Sequence, residues 1–177
     1  RPQASELVKK YEETTSDEYL ERCINTGEFV AFMRSRPPRK QDEVVDREFS
    51  PRLIKQHVKL MCCLAAVMNK EVVDEEIMQM VNKVGKDTAR GKILDITHTM
   101  MSLGKVGATT ETITKMLGST PKKTENLLEF AFRIEVIEQF RKRNENIMRW
   151  RLKDRIITLY DSMFGKVEDV ESEDDEE

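Results

Sequence analysis

The chain is poor in the residues that interrupt helices. With 7 glycines and 5 prolines among 177 residues, long helical stretches are open to it, because an interior Gly or Pro costs helix stability. It has no run of about 18 apolar residues, so no segment is suited to span a bilayer as a helix. No apolar signal region follows Arg1, and a first residue other than Met reads as a chain trimmed or cut from something longer. Only two histidines, His57 and His98, stand beside three cysteines, so no zinc constellation and no resident metal are expected. Cys62 and Cys63 are adjacent and badly placed to form a disulfide. Together with Cys23 they are expected as buried, reduced thiols of an intracellular protein. No nucleophile, base and orienting group stand at a recognisable spacing, so no catalytic site is expected in this chain.

What is abundant is charge, at 36% of residues, carried by Lys, Arg and Glu among Leu and Met. That composition suits a mainly α chain. The formal charge of −3 conceals a division, because residues 168–177 hold eight acidic side chains and no basic one; without those eight charges the rest stands at +5. The tail, residues 166–177, is expected to be disordered. Three roles are open to it: folding back over a basic surface, recruiting a basic partner protein, or simple solubility.

Periodicity divides the rest. Residues 1–34 carry two helical patterns, with Leu7, Val8 and Tyr11 on one face of the first. In the second, Ser16 is the expected N-cap, Tyr19, Leu20, Cys23 and Ile24 form the apolar stripe, and Gly27 marks an interruption or end. Residues 35–49 are expected as an exposed linker, since Pro37 and Pro38 forbid helix continuation. A helical bundle follows over residues 50–85. Ser50 is the expected cap and Pro51 the first helical residue, with Leu53, Ile54, Val58, Met61, Cys62, Ala65 and Met68 forming an apolar face. Its second helix is capped by Asp74, striped by Ile77, Met80, Val81 and Val84, and stopped by Gly85. The stretch GKDTARGKI imitates a phosphate-binding loop. Five residues rather than four separate its glycines, and Ile93 stands where a hydroxyl would hold magnesium, so that reading fails.

Residues 86–165 are expected to form a winged helix-turn-helix. One helix runs from Thr88 to Gly104 with Ile93, Leu94, Ile96, Met100, Met101 and Leu103 apolar. A second is capped by Thr109 or Thr110, turns Ile113, Met116 and Leu117 inward and ends at Gly118. A third, opened by Ser119 or Thr120 and Pro121, buries Leu127, Leu128, Ala131 and Ile134. Then the period changes to two: Met148, Trp150 and Leu152 face one way, Ile147, Arg149 and Arg151 the other, and Asn144 to Asn146 supply the turn of a C-terminal β-hairpin wing. Arg141, Lys142, Arg143, Arg149, Arg151, Lys153 and Arg155 gather on or beside that wing, opposed by Glu145 and Asp154. Lys122 and Lys123 open the third helix, where side chains and helix dipole both favour phosphate. Asn126 and Arg133 have the chemistry to meet adenine and guanine, but Glu125 and Glu129 flank them. A sequence-tolerant grip on DNA, duplex or single-stranded, is therefore expected over base reading. The ordinary alternative is a solvated basic face.

The stretch SPRLIKQHVKLMCCLAAVMNKEVVDEEIMQMV followed by this winged unit resembles the C-terminal end of AAA+ replication ATPases, the minichromosome maintenance helicases and archaeal origin-recognition initiators. In those a helical lid leads into a winged helix. The resemblance implies a lid-like role for residues 50–85, a sensor 2 role toward ATP for Arg52, and ATP and magnesium as cofactors only through a longer parent chain. Walker A, Walker B, the sensor 1 strand and the arginine finger are missing from this sequence, so the chain by itself does not hydrolyse ATP by that mechanism. The leading functional expectation is a DNA-binding module of replication or genome-processing machinery. Two others stay open: a protein-interaction adaptor using the winged helix and acidic tail, and a stand-alone transcription regulator.

Overall fold

The computed structural model describes residues 2–36, 49–104, 106–141 and 147–165. The expected linker around Pro37 and Pro38, the turn at Asn144 to Asn146 with Lys142, Arg143 and Glu145, and the acidic tail lie outside them. The chain forms two units, Arg1–Gly91 and Lys92–Glu177, mainly helical with one small antiparallel sheet. No helix among the described residues is long and apolar enough to cross a membrane.

Four helices among the described residues build the first unit: α1 (Pro2–Thr14), α2 (Asp17–Met33), α3 (Ser50–Val67) and α4 (Glu75–Thr88). The helices before residue 35 pack on those after residue 49, with α1 and α2 against α3, and α4 against both α2 and α3. Tyr11, Cys23, Met61, Cys62, Ala65, Val73, Ile77, Met78 and Val81 form their shared core. The Tyr11 hydroxyl donates to the Lys70 carbonyl at 2.5 Å, which ties α1 to the α3–α4 connection. Asn69, at φ 52, turns the chain after α3 in the left-handed region that Asn tolerates. Asp74 caps α4 as expected, its carboxylate accepting from the Ile77 N–H at 3.1 Å.

Several local expectations need correction. Gly27 neither interrupts nor ends α2, which runs on to Met33 with Thr26, Phe29, Val30, Ala31 and Met33 buried. Its reason is packing: a Cβ there would lie 2.7 Å from Ile54 Cγ1 and 2.8 Å from the Ile54 backbone nitrogen. Phe49, not Ser50, is the N-cap of α3. On α4 the buried positions are Ile77, Met78, Val81 and Gly85, while Met80 and Val84 are 37% and 43% exposed. Because α4 is held from two sides, its buried arc is turned toward Met78 and Gly85. Gly85 is a buried position inside α4, not a stop. Leu7 and Ile24 are exposed, and so is Cys63, unlike Cys23 and Cys62.

The second unit begins one turn later than expected, since Thr88 closes α4 and α5 spans Lys92–Ser102. Ile93, Ile96, Thr97 and Met100 are its buried face. Ala108 bonds to Trp150 through both its N–H and its C=O, at 2.9 and 2.8 Å. Helix α6 (Thr110–Met116) is capped by Thr109, whose hydroxyl accepts from the Thr112 N–H at 3.2 Å. Ile113 is buried, but Met116 is half exposed, because a seven-residue helix presents a single inward turn. Gly118, at φ 55, reverses the chain into α7 (Pro121–Arg133), with Leu128, Ala131 and Ile134 buried. Strands β1 (Ile137–Arg141) and β2 (Met148–Leu152) pair antiparallel, Ile137 opposite Leu152 and Arg141 opposite Met148. Trp150 and Leu152 face inward as the alternation requires. The strand period gives no sign of a helix after the hairpin, yet α8 (Asp154–Phe164) fills that place, burying Ile156, Leu159, Tyr160 and Met163. His98 Nδ1 and the Tyr160 hydroxyl share a 2.7 Å hydrogen bond between α5 and α8.

Candidate nucleic-acid interface

The basic residues singled out in the second unit fall on two elements, the outer face of α7 and the β1–β2 hairpin. On α7, Thr124, Leu128 and Ala131 take the inward positions, so Lys122, Lys123, Asn126, Glu129 and Arg133 remain exposed. Thr120 is the N-cap but makes no side-chain cap bond, and Pro121 lacks an N–H. The Lys122 and Lys123 amides stand in the first turn, where the backbone has no intrahelical acceptor and the helix dipole is positive. Lys122 lies 3.9 Å from Glu125, an exposed pair of the kind worth about 0–1 kcal/mol. Lys123 has no carboxylate partner among the described residues. Arg133 is paired with Glu129 at 2.7 Å, one turn back on the same helix.

The hairpin register decides the rest. Glu138 stands directly opposite Arg151, and the two are paired at 2.6 Å. The same guanidinium lies 4.9 Å from the centroid of Phe140, inside the range of a cation–π contact. Arg149 is half-buried opposite Phe140. Arg141 is exposed, and its Nε donates to Met148 Sδ at 2.9 Å, so this cation has no carboxylate on it among the described residues. Lys153 reaches Glu135 only at 4.0 Å. Arg155 is exposed at the start of α8. Beside Glu145 and Asp154, which the sequence sets against this cluster, Glu138 pairs with Arg151 and Glu135 reaches Lys153. Both lie distant in sequence from their partners and meet them at or beside the β1–β2 pairing. Lys142 and Arg143 lie outside the described residues.

The hairpin is anchored by its aromatic residues. Trp150 Nε1 donates to Thr110 Oγ1 at 3.0 Å, and Phe132 meets the Trp150 ring edge-on at 6.2 Å. Gly107, at φ +68, lets the backbone press on β2, because a Cβ there would sit 2.6 Å from both Phe140 Cε1 and the Trp150 carbonyl oxygen. The alternation of residues 147–152 points to Trp150; nothing local points to Phe140 or Gly107.

In the first unit, Arg52 is exposed on the first turn of α3. Lys55 and Lys59, absent from the residues singled out by sequence, are exposed on the same helix. The signal available for them is that residues 50–67 contain no Asp or Glu. Among the described residues no group of three or more His, Cys, Asp or Glu side chains could hold a metal ion. Burial pushes the Cys23 and Cys62 thiols up to about 12 and about 11, so neither offers a thiolate near neutral pH. The arrangement has binding chemistry, cations on a rigid frame. No protein-family model, curated protein or solved structure matches the chain.

Proposed function

We propose that the second unit is a winged helix-turn-helix that grips DNA through its backbone. The order α5, α6, α7, β1, β2 supports the fold assignment, with Ala108 between α5 and α6 forming an isolated antiparallel bridge to Trp150. The observation that carries the function is the pair of exposed cations without carboxylate partners among the described residues, Lys123 at the start of α7 and Arg141 on the hairpin. Lys122, Asn126 and Arg149 flank them. Glu129 and Glu138, which tie up Arg133 and Arg151, favour backbone contact over base reading, because bidentate recognition of guanine needs a free guanidinium.

The test is anisotropy of a fluorescein-labelled, mixed-sequence duplex titrated with the full chain at low and rising salt. Replacing Lys123 and Arg141 with Gln should weaken binding and lower the salt slope by about two, near 0.9 for each phosphate no longer neutralised. Glu138→Gln should tighten binding by releasing Arg151. Absence of binding at about 50 mM salt would refute the reading, since counterion release is strongest there. The wider setting, a C-terminal part of an AAA+ replication ATPase with Arg52 facing nucleotide, extends this proposal on the sequence resemblance alone.

A second reading has its own observation. Phe132 and Met116 are about half exposed on the unit that also shows Glu125 and Glu129, an apolar and acidic mixture suited to a protein partner. A stoichiometric partner recovered without DNA would favour it.

A further inference from the structure

We infer that α3 carries a second contact for the DNA phosphate backbone, separate from the hairpin and built on Lys55 and Lys59. The inference rests on the DNA-binding reading above and extends it to the first unit. Positions 52, 55, 56, 59 and 63 of α3 are all exposed, and their spacings of three and four residues stack them along one face of a helix. Arg52, Lys55 and Lys59 on that face are basic, Gln56 and Cys63 are neutral, and none is acidic. The whole 18-residue helix has no Asp or Glu, in a chain where 33 of 177 residues are acidic. Two half-buried cations of the first unit have found acids: Arg22 makes two hydrogen bonds to Glu75, at 2.5 and 2.9 Å, and Lys70 sits between Asp74 and Glu76 at 2.8 and 2.7 Å. Lys55 and Lys59 have no such partner among the described residues.

The other side of α3 explains why the stripe points outward. Leu53, His57, Met61, Cys62 and Ala65 are buried there against α1, α2 and α4, which fixes the helix about its axis and leaves the lysines in solvent. Along the axis Lys55 and Lys59 are about 6 Å apart at the 1.5 Å rise, close to the roughly 6.8 Å that two nucleotides of one strand advance. An acidic protein partner fits this face less well. No large hydrophobic side chain is strongly exposed from Pro51 to Cys63, and the exposed Phe49 and Val67 stand at the two ends of the row, so its lysine-bearing centre offers no apolar anchor of the kind that dominates protein interfaces. Lysines without an apolar centre suit a polyanion held by charge alone.

The experiment uses the full chain, the same labelled duplex and anisotropy at several salt concentrations. The double variant Lys55→Gln, Lys59→Gln should bind about tenfold or more weakly at low salt, with a salt slope smaller by about two. Its unfolding midpoint should match wild type, because both side chains are exposed. Lys9→Gln with Lys10→Gln removes the same charge from exposed positions of α1 and should leave affinity nearly unchanged. If wild type binds and the two double variants behave alike, the α3 contact is refuted and the hairpin reading stands. Should the α3 variant weaken binding while Lys123→Gln with Arg141→Gln does not, the hairpin reading falls and the α3 contact stands. No binding by wild type removes both.

Discussion

Replacing Gly27 with Ala separates two physical effects of opposite sign. Gly27 lies inside α2, where a Gly to Ala change by itself favours the helix by about 1 kcal/mol. The fold opposes the change. A Cβ at Gly27 would stand 2.7 Å from Ile54 Cγ1, 2.8 Å from the Ile54 nitrogen and 2.9 Å from its Cα. The side-chain atom can swing aside, but the two backbone atoms move only if α2 and α3 separate. Overpacking of well-packed sites costs about 1–3 kcal/mol, and a clash with backbone belongs at the upper end. The net expectation is a loss of about 2 kcal/mol, the roughly 3 kcal/mol of strain less the helix gain. For a unit of this size that lowers the melting temperature by about 8–16 °C. The assay is thermal and urea unfolding of the full chain, followed by far-UV circular dichroism for the helices and by Trp150 fluorescence for the second unit. The circular dichroism transition should shift toward lower temperature, and the Trp150 signal of the second unit should shift less. A Gly27→Ala protein as stable as wild type, or more so, would refute the close approach of α2 to Ile54.

Two further outcomes follow from buried side chains. His57 is buried on α3, its Nδ1–H donating to the Leu53 carbonyl at 2.8 Å, and burial holds its pKa below the usual histidine value. Because the unfolded chain takes up this proton first, the neutral ring contributes stability in full above about pH 6.5 and loses it as pH falls toward the lowered folded value. Urea midpoints should therefore drop between pH 7.5 and 5.5, and His57→Leu should flatten that part of the profile; an unchanged slope in the variant would assign the effect elsewhere. Thiol labelling with a maleimide at neutral pH should modify Cys63 rapidly and leave Cys23 and Cys62 until unfolding, given their burial. Equal native rates for all three would contradict the packing of α2 on α3.

Much of the local structure is legible in the sequence because local chemistry decides it. Asp74 and Thr109 are acceptors placed three residues before the amides they satisfy, and Pro121 opens α7 because its missing N–H costs nothing in the first turn. The period of two over residues 148–152 identifies the inward Trp150 and Leu152. Other local signals are overridden. Gly27 and Gly85 have the appearance of stops, yet both lie in helices at buried positions. Met80, Val84 and Ile24 have the right spacing for a core stripe, but each lies to one side of the arc its neighbours cover. The final helix, α8, is hard to see in sequence because it follows the strand alternation after a single residue, Lys153, with no Gly or Pro to mark the change.

The candidate interface divides the same way. Its residue types and rough location come from composition: basic side chains after residue 140, a pair of lysines at a helix start, an acid-free helix at residues 50–67. What the sequence alone determined is the capping of α4, α6 and α7, the alternation of β2 and which stretches carry surplus charge, since caps, periodicity and composition act within a few residues. Only the tertiary structure decided which charges remain available. Cross-strand register set Glu138 on Arg151, and the packing of α3 turned Lys55 and Lys59 to solvent. An ion pair falls off with distance in space, not with separation along the chain, and those distances exist only once the helices and strands have docked.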